Sequence, residues 1–140
     1  EAAFRTAGFQ PGFVTTSALA AMDLVASEPL VATAKLDDRV LTVTLSEGAR
    51  LRLLRCMELP DLTLDELMSV LFPTMAYAED EFKRRPEKLL LCGFGPDSAG
   101  LQQACASELQ MTVEPLRSVL GTPDSHNAGL HGYLQANRVN

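Results

Sequence analysis

The turn at residues 93–95 is the part of the sequence whose residue types come nearest to a ligand-binding motif. An apolar tract, "LLLC", runs into Gly93-Phe94-Gly95, and an amphipathic segment follows from Ser98. Glycine permits positive φ and a close approach of two backbones, and the N–H groups at the start of a helix attract anions. The turn is therefore either a nucleotide cradle or a tight connection. A lone glycine pair without a lysine to hold phosphate favours the connection.

Cysteine and histidine offer little for nucleophilic or metal chemistry. Cys56, Cys92 and Cys105 lie within apolar patterns, which predicts reduced core thiols and, from that, a cytoplasmic setting. His126 and His131 lie in a polar segment, without the spacing or the companions of a metal site, and the sequence places neither beside a cysteine. We predict no catalytic residue and no metal site.

Length and charge limit the classes of partner. The chain has 140 residues and a net charge of −6, which is enough for one domain with its own core and argues against a nucleic-acid partner, because such binding depends on Lys and Arg. No apolar run approaches the roughly 18 to 20 residues that span a bilayer, so we expect a soluble chain. The sequence lacks an initiator Met and opens on "EAAFRTAGFQ", which is typical of a helix end. We expect it to be a piece of a longer protein.

A strand and a helix are predicted before residue 30. The stretch "FVTTSALAAMDLV" begins with a short extended piece. Ser17 is a suitable N-cap for the helix that follows, and Leu19, Met22 and Val25 form its apolar face. Residues 1–29 are therefore interpreted as a connecting strand and helix from a missing N-terminal half, ahead of a core at residues 30–140.

Three β-rich runs open that core. They are "PLVATAKL", "RVLTVTLSEG" and "ARLRLLRCMEL". The second alternates apolar and polar residues at period two, which is typical of a strand. Turn-like pairs, "DD" and "EG", join the three runs, so the sequence predicts an antiparallel meander.

Helices and strands alternate after the meander. Thr63 caps a long helix, with Glu66 as its capping-box partner and a kink expected at Pro73. A buried strand "KLLLCG", a helix from Ser98 to Gln110, a short strand "MTVEPL" and a last short helix complete the chain. Right-handed crossovers then give a mixed five-stranded sheet with helices packed on it, in which the first, fourth and fifth strands are parallel. This is the order of the ribonuclease H-like α/β core.

Four stretches, in sequence order, resemble the second half of PilM, a family of type IV pilus assembly proteins with an actin-like fold related to FtsA. They are "AGFQPGFVTTSALAAMDLV", "LVATAKLDDRVLTVTLSEGARLRLLRCMEL", "LLLCGFGPDSAGLQQACASELQMTVEPL" and "AGLHGYLQA". The resemblance covers nearly the whole chain. It implies a bacterial cytoplasmic protein at the inner membrane that binds ATP and recruits the cytoplasmic tail of a membrane partner.

The sequence departs from the family at the second phosphate loop. The resemblance places Ala32 where the metal-binding Asp stands and Ala34 where the loop Gly stands, while Asp37 and Asp38 are interpreted as turn residues. Loss of the carboxylate removes an oxygen ligand for Mg²⁺, so the nucleotide site is expected to be degenerate. The resemblance also places Gly93, Phe94 and Gly95 at the adenosine-contacting edge, which makes this turn the candidate cofactor contact.

The preferred hypothesis is therefore a non-catalytic scaffold domain of a PilM-like pilus assembly or secretion platform, peripheral to the inner membrane through its partner. No cofactor is expected in this chain alone. The alternative is an ATP-binding or ATP-hydrolysing actin-like protein whose site needs the missing half and Mg²⁺. A ribonuclease H-type nuclease is set aside because it needs clustered carboxylates for two metal ions, and "ATA" at 32–34 supplies none.

Two surfaces are candidates for protein contacts. The third strand carries Arg50, Arg52 and Arg55, and simple alternation places the first two on one face and Arg55 on the other, as on a solvated strand. An exposed strand edge could also accept an added strand. Apolar residues at 9–14 would lose their cover without the other half, so we predict self-association as a homo-oligomer.

Overall fold

The computed structural model describes residues 2–8, 15–95 and 98–138. The strands are β1 Leu30–Asp37, β2 Val40–Glu47, β3 Arg50–Glu58, β4 Lys88–Cys92 and β5 Thr112–Pro115. The helices are α1 Ala2–Thr6, α2 Ser17–Ala21, α3 Leu64–Phe82, α4 Ala99–Leu109 and α5 Ala128–Ala136, and a 3₁₀ turn at Met22–Val25 continues α2.

The five strands form one mixed sheet in the order β3-β2-β1-β4-β5. β1 pairs antiparallel with β2, and β2 with β3. β4 lies parallel to both β1 and β5. The meander, the parallel strands and the ribonuclease H-like order that the sequence predicts are confirmed. β5 is a short edge strand that ends in Pro115, whereas β3, at the other edge, is more than twice as long.

The sheet has two packed faces. The α3 face is the one that α3 and α4 cover, and alternate strand residues such as Ala34, Val43 and Leu91 join the buried side chains of α3 there. The α5 face is the one that α2, the 3₁₀ turn and α5 cover, where Val31 and Leu90 are buried. Successive side chains of a strand point to opposite faces, so each central strand supplies both cores.

Helix α3 begins at the predicted cap. The Thr63 hydroxyl accepts a hydrogen bond from the Glu66 N–H at 3.2 Å. The reciprocal half of the capping box is wrong, because the Glu66 carboxylate accepts from the Asp61 N–H instead, at 3.0 Å. The helix continues without a break through Pro73 to Phe82. The kink at Pro73 stays a prediction.

The first helix on the α5 face differs from its prediction. Its N-cap is Thr16, not Ser17, because the Thr16 hydroxyl accepts from the Leu19 N–H. After Ala21 the backbone tightens into a 3₁₀ turn, which has three residues per turn. Val25 is buried as predicted, and Leu24 is buried beside it in place of Met22. The buried residues are Ala20, Ala21, Leu24 and Val25, while Leu19 is exposed. The predicted extended piece and the apolar residues at 9–14 lie largely or wholly outside the described residues.

A β-bulge changes the faces of β3. The register pairs Leu45 with Leu53 and then Ser46 with Leu51, so Arg52 is the extra residue. Residues directly opposite each other lie on one face. Arg55 faces Val43 and Arg50 faces Glu47, which share the α3 face through the period of two in β2. The predicted separation of the arginines is wrong, because the bulge interrupts the alternation on which it rested.

Candidate functional site

The carboxyl ends of β1 and β4 meet at one corner of the sheet, where Lys35 is paired with Cys92. Gly93 follows with φ of +85°, and a Cβ built on it would lie 2.1 Å from the Leu36 carbonyl oxygen. No side chain fits at that distance, so Gly93 lets the β4 backbone press on the end of β1. Of the two interpretations of this turn, a nucleotide cradle and a tight connection, Gly93 fits the tight connection.

The other two residues of the turn have different surroundings. Phe94 is partly buried and packs against the core of the α3 face. Gly95 also has positive φ, but a Cβ there would meet nothing within 4 Å. Gly93, Phe94 and Gly95 border a cavity of about 240 Å³, whose other lining residues include Ser98, Gln102 and Asp124. Ligand pockets are usually about 300–1,000 Å³, so this cavity is small for a nucleotide.

The β1–β2 turn closes the neighbouring side of the corner. Asp37 pairs with Val40 across it, so the turn consists of Asp38, with φ of +54°, and Arg39. The Arg39 guanidinium donates to the Pro60 carbonyl at 2.7 Å and to the Leu59 carbonyl at 3.4 Å. The Arg39 guanidinium is thus hydrogen-bonded to the connection between β3 and α3.

Lysine 35 is the buried charge of the corner. Its side chain is 6% exposed, and the ammonium lies 3.3 Å from an Asp37 carboxylate oxygen. Asp38, in the turn, and Asp124, whose charge acts on Cys92, bring the carboxylates of the corner to three. Lys35 and Arg39 are the two cations among the corner residues just described, so carboxylates outnumber cations there. A polyphosphate brought here would face repulsion from these carboxylates.

The two alanines aligned with the phosphate loop lie inside β1. Ala32 and Ala34 are fully buried in the core of the α3 face. A carboxylate at either position would enter an apolar environment, which is costly for a charged group. The residues that do reach the corner from β1 are Lys35 and Asp37.

Below the corner, a thiol and a carboxylate fasten the loop that precedes α5. The Cys92 thiol donates to the Asp124 carbonyl at 3.4 Å, and burial raises its pKa to about 11. The Asp124 carboxylate accepts from the N–H groups of His126 and Asn127, and these bonds lower its pKa. Sequence reasoning missed both roles, since they depend on two segments that are distant along the chain.

The remaining cysteines and histidines do not assemble a site. Cys105 is buried as predicted, but Cys56 is exposed on β3, so its prediction as a core thiol is wrong. β3 is an edge strand of the sheet, and Cys56 lies on its α5 face opposite Thr42. His131 Nδ1 lies 2.7 Å from the Ser118 hydroxyl. Within the described ranges, no three His, Cys, Asp or Glu side chains are placed to hold a metal ion, and no helix is long and apolar enough to cross a membrane.

A second surface lies where α5 crosses α2. A Cβ on Gly132 would lie 1.9 Å from the Ala20 carbonyl oxygen, and one on Gly129 would lie 2.8 Å from the Ser17 Cα. The glycines of "AGLHGYLQA" therefore let the two helices touch. A groove of about 680 Å³ opens beside this seam, bordered by Leu130 and Tyr133. The spacing of the glycines on one helix face was the signal available in the sequence.

Two solved structures are similar to this chain in fold. The chain is similar to a Bacteroides thetaiotaomicron protein with an actin-like ATPase fold and unknown function, with a TM-score of 0.51 and 13% identity over 71% of this chain. It is also similar to a chain of a PilM-PilN type IV pilus biogenesis complex, with a TM-score of 0.57 and 16% identity over 95% of this chain. It spans 38% and 53% of the lengths of those two chains. No protein-family model and no curated protein matches the sequence. The chain has the fold of an actin-like ATPase subdomain.

Proposed function

We propose that this chain is one half of an actin-like scaffold in a type IV pilus assembly or secretion platform, and that it works by binding proteins rather than by turning over nucleotide. Its partner is the cytoplasmic tail of an inner-membrane component, which holds it at the cytoplasmic side of that membrane. The fold likeness to a chain of a PilM-PilN complex supports this proposal. That neighbour is, by its description, part of an assembly of two proteins.

The observation that carries the proposal is the closed, acidic corner between β1 and β4. In an actin-like subdomain, a nucleotide needs open backbone amides and cations to receive its phosphates. Here the β1–β2 turn is two residues long, and the Arg39 side chain is bound to backbone carbonyls. Lys35 is buried against Asp37. The residues at this corner bind one another and leave little to bind phosphate.

Calorimetric titration tests the proposal with two ligands. The protein, as the 140-residue chain and as the full-length product of its gene, is titrated with Mg·ATP and with purified cytoplasmic tails of the inner-membrane proteins encoded beside it. We expect saturable binding of one tail and no saturable binding of Mg·ATP. The proposal would be contradicted if the protein bound Mg·ATP with micromolar affinity and bound none of the tails.

The second candidate function is ATP binding by the intact protein. Gly95 favours it, because the space beside this residue is open and continuous with the 240 Å³ cavity. If the turn contacts adenosine, Gly95→Ala lowers the affinity of the full-length protein for Mg·ATP. Gly8→Ala is the matched control, because Gly8 has nearly the same positive φ, +84° against +79°, and the space beside it is also open. Equal affinities of the two variants would exclude this turn as the contact.

A further inference from the structure

The bulge in β3 gathers positive charge at an edge of the sheet. Arg50 and Arg55 lie on the α3 face, opposite Glu47 and Val43. The Arg52 guanidinium lies 4.7 Å from the centre of the Phe82 ring in α3, which places it on the same side. A chain with a net charge of −6 therefore carries three arginines along one face of one edge strand.

The two outer arginines have no acidic partner in the described part of the chain. Glu47 is the carboxylate that faces Arg50, but it is bound to Arg84. Glu58 faces Val40, which lies on the other face of the sheet. The sheet therefore supplies no free carboxylate to neutralise Arg50 or Arg55. Both residues lie on the edge strand, whose outward backbone N–H and C=O groups have no neighbouring strand in the sheet.

The opposite face of the same strand is apolar and uncovered. Leu51 and Leu54 are 43% and 41% exposed, and Cys56 is exposed as well. These three side chains lie on the α5 face of the edge strand, opposite Ser46, Thr44 and Thr42 of β2. An exposed edge with apolar residues on one face is a template for strand addition.

We propose that β3 binds an extended acidic segment of a partner protein, which adds to the sheet as a sixth strand antiparallel to β3. This inference rests on the proposed function and assigns a surface to it. Backbone hydrogen bonds hold the added strand. Acidic side chains of the partner face Arg55 and Arg50, and its apolar side chains cover Leu54 and Leu51.

The register of β3 specifies the pattern of the partner. Because Arg52 is the bulged residue, the ladder positions from Arg55 to Arg50 pass only through Leu54, Leu53 and Leu51. The partner therefore carries acidic residues at i and i+4. Its residues i+1 and i+3 lie on the apolar face and are β-branched or aliphatic.

A second copy of the chain fits this edge less well. Two β3 strands brought together would place six arginines beside two glutamates, counting Arg50, Arg52, Arg55 and Glu58 in each. Like charges facing each other across strands are destabilising. Charge therefore selects an acidic partner over self-pairing.

Two capped, fluorescent heptapeptides test the proposal. The first is Val-Thr-Glu-Val-Thr-Val-Glu, which places glutamates at i and i+4, and the second has lysine at both glutamate positions. We expect the glutamate peptide to bind the protein at least about tenfold more tightly, from two attractive pairs against two repulsive ones. Amide hydrogen exchange should show added protection in β3 only with that peptide.

Charge reversal supplies the control. R50E/R55E should reverse the preference between the peptides, whereas R117E/R138E makes the same change of charge away from this edge and should leave the preference intact. Equal binding of both peptides, no binding of the glutamate peptide below about 1 mM, or protection that appears outside β3 would overturn the proposal.

Binding of the natural tail separates this proposal from the function on which it rests. If a membrane-protein tail binds wild type and R50E/R55E equally, β3 is not its site and the scaffold function stands. If the glutamate peptide binds as described but no tail does, the acidic-strand site stands and the scaffold function fails.

Discussion

The two faces of the sheet are built in different ways. Among the described residues, the core of the α3 face contains 18 buried apolar residues, and the core of the α5 face contains eight. The α5 face also holds the Thr33 and Ser46 hydroxyls, which are buried without a hydrogen-bond partner. The α3 face thus provides most of the buried apolar surface that drives folding. The α5 face buries fewer apolar side chains and has close contacts between helix backbones instead.

Helix length explains much of this difference. α3 has 19 residues and presents an apolar stripe over five turns, whereas α2 has five residues and α5 has nine. Short helices bury little on their own, so the α5 face depends on the glycine seam between α2 and α5. Three pairs of substitutions test this contrast, and a fourth experiment compares two thiols.

The largest effect is expected from truncating the core of the α3 face. Leu89 and Leu90 are neighbours in β4 with exposures of 0% and 5%, and they point to the α3 face and the α5 face respectively. We expect Leu89→Ala to reduce the free energy of unfolding by about 3–5 kcal/mol and Leu90→Ala by about 2–3 kcal/mol. Urea denaturation measures both. Equal losses would show that the two cores contribute alike.

Adding a methyl group to the seam should be nearly as costly. Gly132→Ala brings a Cβ against the Ala20 carbonyl, and we expect a loss of about 2–3 kcal/mol from overpacking. Gly100→Ala, in an open position of α4, is the control and should stabilise by about 0.5–1 kcal/mol. If both variants are stabilised, α5 does not depend on close contact with α2.

Replacing a hydroxyl should have opposite signs on the two faces. Thr33→Val removes a buried hydroxyl that lacks a partner, and we expect a gain of about 1 kcal/mol. Thr74→Val removes a hydroxyl of α3 that donates to the Val70 carbonyl at 2.7 Å, and we expect a loss of about 1 kcal/mol. Thermal unfolding of the two variants gives both signs, and a loss at position 33 would point to an unseen partner for that hydroxyl.

The last prediction concerns the thiols, whose effect on stability appears only at alkaline pH. At pH 8 an alkylating reagent should modify Cys56 rapidly and spare Cys92, because burial raises the pKa of the Cys92 thiol to about 11 from 9.0. The fold favours the neutral thiol, so its contribution to stability is complete below pH 9 and is lost as the pH rises toward 11. The stability difference between wild type and Cys92→Ala should shrink over that interval. A constant difference would show that the thiol does not titrate with unfolding.

The order of elements could be predicted because it depends on local patterns. Period-two alternation marked β2, and the Thr63 cap marked the start of α3, and both are present. What the sequence could not supply depends on contacts between distant segments. The bulge at Arg52 is visible only in the pairing of β3 with β2, and it places the three arginines on one face instead of two.

The candidate site divides in the same manner. Gly93 and Gly95 were identified from their type and spacing, yet only the Leu36 carbonyl distinguishes a residue held by its neighbour from one beside open space. Arg39 was not singled out, since its partners in the β3–α3 connection depend on how the corner closes. Lys35 was missed although its partner Asp37 is local, two residues along β1 and on the same face. The sequence shows which residues could bind a ligand, but whether their polar groups are already bound to other parts of the protein depends on the tertiary structure.

The proline at the end of β5 limits how this molecule can be joined to others. Pro115 has no N–H to offer a neighbouring strand, and β5 is only four residues long. The β5 edge therefore offers a further strand less backbone to pair with than β3 does, so an extension of the sheet by hydrogen bonding is favoured at β3. If an acidic strand binds at β3 as proposed, each chain offers a single edge of that length for it among the described strands.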